Sequence, residues 1–198
     1  MAEDGEIGRK NDDCTRNDKD SEIRRGALPL LQLQEILQNK WDYLPLLLLG
    51  DEQESQIASY LERGRLFVWQ PAAEPRGVAV VTQEGDGVYE LKNLAVAPAW
   101  QRQGYGSAMV RWLFQYYQAL GCRVFWVGTG EAPGTLAFYR SLGFVEDHRV
   151  PDFFLQYYDH PIWEDGVLLR DMIYLKKAWP ADERKDERNT IHKKEVVE

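Results

Sequence analysis

The feature that most constrains the fold is a pair of glycines, Gly104 and Gly106, between a strand pattern and a helix pattern. The strand pattern ends at Pro98, and apolar residues such as Met109 and Leu113 then recur at helical spacing. Because a glycine inside a helix costs roughly 1 kcal/mol relative to alanine, two of them indicate a backbone that a ligand or another element approaches closely. The first amides of a helix lack internal partners and carry partial positive charge. The segment therefore predicts a phosphate site, with close helix–sheet packing as the alternative.

Two common phosphate-binding motifs are excluded by the residues in this segment. A dinucleotide-binding turn needs a third glycine, where this chain has Met109. A P-loop needs a glycine followed by lysine and then serine or threonine, which the segment lacks. Arg102 adds one cation that could pair with a phosphate or stay in solvent. The pattern therefore predicts an anion-binding helix start of another kind.

Helix and strand patterns alternate through the middle of the chain and predict an α/β fold. The order favours a mixed central sheet with helices on both faces, in which a right-handed crossover makes the strand before the glycines parallel to the strand after the helix. Strands are predicted at 65–70, 76–83, 87–98, 122–128, 144–150 and 167–177, the last as an edge strand, and helices within 29–50 and at 51–64, 107–120 and 134–144.

Polar segments flank this region, so we expect a flexible leader at 1–26, one domain at 27–179 and a charged tail at 180–198. The formal net charge of −8 argues against nucleic acid as a partner, because such binding depends on clustered Lys and Arg. No apolar run is long enough for a membrane helix, and the N-terminal segment is too polar for a signal peptide. The two cysteines, Cys14 and Cys122, suit a reducing cytoplasm, with Cys122 as a small buried hydrophobe.

Three motifs together resemble one enzyme family. The segment "QRQGYG" matches Gln/Arg-x-x-Gly-x-Gly/Ala at Gln101, Gly104 and Gly106, "LKNLAVAP" precedes it, and "LAFYRSLGF" follows after a helix and a strand. This arrangement resembles the GNAT superfamily of acetyl-CoA-dependent N-acetyltransferases, and the likeness covers residues 42–177. The segment "DFFLQYYDHPIWEDGVLLRDMIYL" further resembles a branch of small bacterial members.

The resemblance implies acetyl-CoA as cofactor, with coenzyme A as product, and assigns backbone contacts to it. It places the pantetheine arm against the strand backbone at Leu94, Ala95 and Val96. It places the pyrophosphate on the backbone amides of Gln101, Arg102, Gln103, Gly104, Tyr105, Gly106 and Ser107. Many members also have an asparagine shortly before the Phe-Tyr helix, where this chain reads "GEAPGT". That cofactor contact is therefore either lost here or supplied by another group.

The resemblance also implies catalytic roles for two residues. Glu90 corresponds to a glutamate that several members use as general base, acting here through water; the alternative is an ion-paired or solvated strand carboxylate. Tyr139 corresponds to the general acid that donates toward the departing sulfur, and its alternative is an aromatic side chain packed on the sheet. A backbone amide near Val96, where two strands separate, would meet the oxyanion.

Aromatic and acidic residues near the end of the domain are candidates for the acceptor site. Tyr157 and Asp159 are the candidate substrate contacts, with Asp159 or Glu164 facing a cationic amine; core packing is the alternative for the aromatic residues. His160 is a lone histidine without visible partners, so no metal site is expected.

Together these features predict a cytoplasmic enzyme that moves acetyl from acetyl-CoA to a primary amine, with a small molecule favoured over a peptide. The alternatives are an acetyltransferase that acts on a protein amine and a non-catalytic acyl-CoA-binding or protein-interaction module. Neither nucleic acid nor a membrane is an expected partner. The aromatic C-terminal strand is a candidate surface for a homodimer.

Overall fold

The computed structural model describes residues 31–180 of the chain. The leader expected at 1–26, and the tail expected at 180–198 apart from Pro180, lie outside these residues. The strands are β1 (Gln34–Ile36), β2 (Arg65–Trp69), β3 (Gly77–Gly85), β4 (Val88–Val96), β5 (Val124–Thr129), β6 (Val145–Val150), β7 (Trp163–Glu164), β8 (Val167–Leu168) and β9 (Met172–Ala178). The helices are α1 (Leu44–Leu47), α2 (Glu54–Leu61), α3 (Tyr105–Ala119), α4 (Pro133–Ser141) and α5 (Phe153–Tyr157).

Seven of the strands form one mixed sheet in the order β1-β2-β3-β4-β5-β9-β6. Strands β1 to β4 pair with one another in antiparallel fashion. Strands β4 and β5 are parallel and are joined through α3. This confirms the mixed sheet and the parallel strand–helix–strand step. The short strands β7 and β8 pair with each other in a separate hairpin.

Helices cover both faces of the sheet because side chains alternate along each strand. Leu66 of β2 points to one face, where it packs in a cluster with Leu47 of α1 and Ile57 of α2. Phe67 points to the other face, and its ring meets that of Tyr117 from α3 edge-on. All five side chains are fully buried. The predicted placement of helices on both faces is therefore confirmed.

Two predicted elements differ from the structure. Residues 34–36 form edge strand β1 instead of helix, held to β2 by ladder pairing and by the two-pronged bond of Arg65 to Glu35 at 2.7 and 2.6 Å. The last strand, β9, is interior rather than an edge, because it returns between β5 and β6. Its buried Ile173 and Leu175 suit that place, while the charged, exposed β6 forms the edge.

Candidate functional site

The strands β4 and β5 separate halfway along β4. Their parallel pairing ends at Leu91 and Val127, and from there β4 continues to Val96 with only β3 as a partner. The register of β3 against β4 shifts at this point, with Lys92 as the extra residue of a β-bulge. The expected separation of the two strands is therefore confirmed, and it leaves a backbone edge open to a ligand.

Backbone alternation decides which β4 groups face the gap. The amide of Ala97 donates to the carbonyl of Arg76 at 2.8 Å, so the backbone of Ala95, two residues earlier, also faces β3. The backbone groups of Leu94 and Val96 face the open side instead. Leu94 and Val96 are therefore better placed than Ala95 for backbone bonds to a pantetheine arm, and the contact expected of Ala95 stays a prediction.

The glycine loop presents a run of backbone amides without acceptors. Gly104 has φ +87° at the start of α3, a conformation that favours glycine. Between Arg102 and Ser107 no amide has a hydrogen-bond acceptor among residues 31–180. Gln101 is different: its amide donates to the carbonyl of Pro98 at 3.3 Å, so the amide predicted for the pyrophosphate is already used. Such a run at a helix start is a suitable cradle for a phosphate.

Side chains of the loop point away from this cradle and fix its shape. Tyr105 is buried, and its ring stacks on Trp69 with 4.1 Å between centroids. The side-chain amide of Gln101 donates to the carbonyl of Val96 at 2.9 Å, and that of Gln103 donates to Ala99 at 3.0 Å. Arg102 is exposed and forms no ion pair within the described ranges. The loop is thus tied to β4 at its start while its amides stay available.

A cavity of about 610 Å³ adjoins both features. Its lining comes from the loop between α1 and α2, the second half of β4, β5, α4, α5 and hairpin strand β7. Glu90, Tyr139 and Tyr157 line it, as expected for catalytic and substrate-contacting residues. Asp159 does not: it is exposed, and its carboxylate lies 2.5 Å from the ring of His160. The prediction that Asp159 contacts the substrate therefore has no support from this geometry.

Glu90 lies on the cavity side of β4 and is only 8% exposed. Its carboxylate accepts a hydrogen bond from the Lys92 ammonium at 2.9 Å. Glu90 and Lys92 are two residues apart on β4, so alternation of side chains along the strand places both on the same face. Burial, with a smaller contribution from the charge of Glu90, raises the pKa of Tyr174 to about 12. The ion pair orients the glutamate beside the cavity.

Tyr139 lies on α4 and is 7% exposed. Its ring packs edge-on against Phe138 and Phe144, while its hydroxyl has no hydrogen-bond partner in the described part of the chain. Burial raises the pKa of Tyr139, and the nearby charge of Glu164 adds to the effect. The hydroxyl therefore holds its proton at neutral pH and can donate to a group in the cavity.

Asp51, which the sequence analysis missed, lies at the opposite wall. Its Oδ2 accepts a hydrogen bond from the Tyr60 hydroxyl at 3.1 Å and its Oδ1 one from the Tyr158 hydroxyl at 3.0 Å. Burial raises the pKa of Asp51, only partly offset by these hydrogen bonds and by the charge of Lys92. Nothing in the sequence around Asp51 marks it, because its partners are 9 and 107 residues away.

One end of the cavity is bordered by contacts that join α2 and the loop before it to the end of α5 and the segment after it. The side-chain amides of Gln53 and Gln56 donate to the Tyr157 carbonyl at 3.1 and 2.7 Å. The amide of Asp159 donates to Gln53 at 2.8 Å, and Tyr158 bonds to Asp51. These four bonds hold two elements together across the end of the cavity.

The described part of the chain contains neither a metal cluster nor a membrane-spanning helix. Among residues 31–180, no group of three or more His, Cys, Asp and Glu side chains could hold a metal ion. Within the same residues, no helix has the length and apolar content to cross a bilayer.

Comparison with known proteins gives consistent matches. A model of the acetyltransferase (GNAT) family matches residues 31–144. The uncharacterised N-acetyltransferase YvbK of Bacillus subtilis (strain 168) is 34% identical over 131 residues, which cover 66% of this chain and 84% of that protein. A GNAT family acetyltransferase of Elizabethkingia anophelis, solved with acetyl-CoA bound, is 29% identical with a TM-score of 0.71 over 75% of this chain and 98% of that one. A Bacillus subtilis acetyltransferase solved in complex with CoA is 30% identical, with a TM-score of 0.70 over 76% of this chain and 99% of that one.

Proposed function

The chain belongs to the acetyltransferase (GNAT) family, and from that premise we propose that it transfers an acetyl group from acetyl-CoA directly to the primary amine of a small molecule. It is an N-acetyltransferase of the GNAT type. One observation carries the proposal: an open β4 edge and a run of amides without acceptors meet at a cavity that contains Glu90 and Tyr139.

The backbone supplies the proposed binding site for acetyl-CoA. The amides from Arg102 to Ser107 would hold the pyrophosphate, since they have no acceptor of their own and the helix start adds partial positive charge. The backbone groups of Leu94 and Val96 would pair with the amide groups of the pantetheine arm, as an added strand would. The related structures with acetyl-CoA or CoA bound support this choice of cofactor.

The acceptor side favours a small amine over a protein chain. The bonds of Gln53, Gln56 and Tyr158 join α2 to the segment after α5, so an extended peptide has no open groove through that end of the cavity. Tyr157 and Trp163 are about half exposed and line the cavity, where they can contact an acceptor.

The proposed chemistry uses three groups of this chain. An alkylammonium titrates at about pH 10, so the acceptor must lose a proton before it attacks the thioester carbon. Glu90 would take that proton through water, with Lys92 holding its carboxylate in place. A backbone amide at the open edge, from Leu94 or Val96, would stabilise the oxyanion. Tyr139 would donate its proton toward the sulfur as the carbon–sulfur bond breaks.

Two measurements test the proposal. Calorimetric titration with acetyl-CoA should show binding, and thiol release from acetyl-CoA should rise when small primary amines are added. Peptides with free N-termini or lysines serve as the competing acceptor class. Absence of binding at millimolar acetyl-CoA would refute the cofactor assignment, and turnover of peptides alone would refute the small-molecule acceptor. A cytoplasmic location, the domain bounds 27–179 and a homodimer stay predictions.

A further inference from the structure

The carboxylate of Asp51 accepts hydrogen bonds only from neutral groups in the described part of the chain. Two tyrosine hydroxyls, from Tyr60 and Tyr158, each donate to one of its oxygens, and the amide of Gln53 lies 3.4 Å from Oδ1. In the described part of the chain, no Lys, Arg or His nitrogen lies within 4.0 Å of this carboxylate. Neutral donors orient a carboxylate but leave its charge uncompensated in a partly dry cavity.

A directed hydrogen-bond chain fixes this carboxylate as an acceptor. The Asn93 side-chain amide donates to the Tyr60 oxygen at 3.0 Å and to the Leu47 carbonyl at 2.9 Å. Because the Tyr60 oxygen already receives one proton, its own proton goes to Asp51. The chain of bonds from Asn93 through Tyr60 therefore ends at Asp51, whose remaining lone pairs are left for a ligand.

Asn93 provides a second, independent indication of a missing donor. It lines the same cavity and is 3% exposed, and its Oδ1 has no hydrogen-bond partner anywhere in residues 31–180. Buried polar atoms without partners are rare in native proteins, and this oxygen, which packs beside Gly50, leaves that wall of the cavity with an acceptor that no protein donor satisfies. The wall formed by Asp51 and Asn93 therefore has acceptors that lack hydrogen-bond donors.

Charge and surface chemistry of the cavity agree with a cationic ligand. Asp51, Glu90 and Glu164 line it from three different elements, and Lys92 is already paired with Glu90. Aromatic side chains complete the walls and can contact both methylene groups and ammonium groups: Phe153, Phe154, Tyr157, Tyr158 and Trp163. A monoamine acceptor held beside Glu90 for acetylation would leave Asp51 without a cation.

We infer that the acceptor carries two ammonium groups, as an aliphatic diamine does: one beside Glu90 is acetylated, and the other binds Asp51 between Tyr60 and Tyr158. The inference rests on the proposed function and names its substrate class. In the step itself, the amine beside Glu90 loses a proton and forms the new carbon–nitrogen bond. The carbon–sulfur bond breaks and the thiol leaves with a proton. The second ammonium stays charged throughout.

Matched acceptors test the inference with the wild-type protein. At each chain length from four to eight carbons, an α,ω-diaminoalkane is compared with the n-alkylamine and the ω-amino acid of the same length. The expected kcat/KM for the best diamine exceeds that for its monoamine by about 10-fold or more, because a charged contact is gained, and the amino acid is the poorest acceptor. Equal kcat/KM for diamine and monoamine at every length would overturn the inference.

A pair of variants locates the second ammonium. In Asp51→Asn the ratio of diamine to monoamine kcat/KM should fall to about one, while Glu54→Gln, a change of equal charge on the exposed surface nearby, should keep the wild-type ratio. If Asp51→Asn lowers both acceptors in equal proportion, Asp51 acts on the reacting amine and the inference is wrong. If that variant does not fold, the wild-type comparison still decides. Loss of acetyl-CoA binding would instead refute the proposed function itself.

Discussion

Removal of one hydroxyl from Tyr139 is the sharpest test of the proposed chemistry. The Tyr139→Phe variant keeps the ring between Phe138 and Phe144 and removes only a group that has no partner among residues 31–180. The hydroxyl lies at the cavity, so its loss should change the free energy of unfolding by no more than about 0.5 kcal/mol. Any large effect on turnover must then come from the proton that the hydroxyl supplies.

The expected loss of activity follows from the size of acid–base effects. Positioned proton donors contribute roughly 10²–10⁴-fold to rate, so kcat should fall by at least about 100-fold, equivalent to about 2.7 kcal/mol of barrier. The Kd of acetyl-CoA should change less than about 3-fold, because its proposed contacts are backbone groups of the loop and of β4. Steady-state thiol release gives kcat, and calorimetry gives Kd.

Tyr117 provides a matched control elsewhere in the same protein. Its hydroxyl is also without a partner in the described structure, but it lies inside the core against Phe67 and Phe125 rather than at the cavity. In Tyr117→Phe, removal of a buried unpaired hydroxyl should raise the free energy of unfolding by about 1–3 kcal/mol and leave kcat unchanged. Each kcal/mol corresponds to a rise in Tm of about 2–4 °C for a chain of this size. An unchanged kcat in Tyr139→Phe, or equal losses in both variants, would refute the role assigned to Tyr139.

Three further predictions concern the base, the phosphate loop and Asp51. Glu90→Gln should lower kcat at pH 7 by about 10²-fold and recover in part at higher pH, where more acceptor amine is neutral, whereas Glu54→Gln should behave as wild type; a pH-rate profile checks both. Gly104→Ala should weaken acetyl-CoA binding and cost about 1–2 kcal/mol of stability, because its φ is +87°, whereas Gly85→Ala, with only ordinary contacts and no positive φ, should do neither. Burial raises the pKa of Asp51 in the folded state, so folding favours the protonated carboxyl. This contribution to the free energy of unfolding is fully present below the unfolded pKa near 3.8 and is lost as pH rises through the folded pKa. Urea unfolding from pH 4 to pH 7 should therefore show wild type losing stability relative to Asp51→Asn, and an opposite trend would contradict the burial argument.

The parts of the fold that sequence predicts well are those whose signal is local. Helix α3 carries its apolar stripe and glycine start within one segment, and β5 is a continuous apolar run. The amides proposed to bind phosphate could be predicted for the same reason, because unpaired amides follow from a helix start alone. Edge strand β1 was missed because three residues carry no periodicity, and its pairing with β2 depends on Arg65, 30 residues from its partner Glu35.

The same difference between local and non-local signals decides which residues of the candidate site could be predicted. Glu90 and Tyr139 could be proposed from motifs, yet Asn93, three residues after Glu90, lines the same cavity because a β-bulge forms between β4 and β3. Asp51 is further from prediction, because a lone aspartate in a loop has no pattern of its own. Its meaning comes from Tyr60 and Tyr158, which reach it from two other elements. The residues proposed to bind acetyl-CoA therefore lie in short contiguous segments of the sequence. Those proposed to bind the acceptor are far apart in the sequence and come together only when the chain folds.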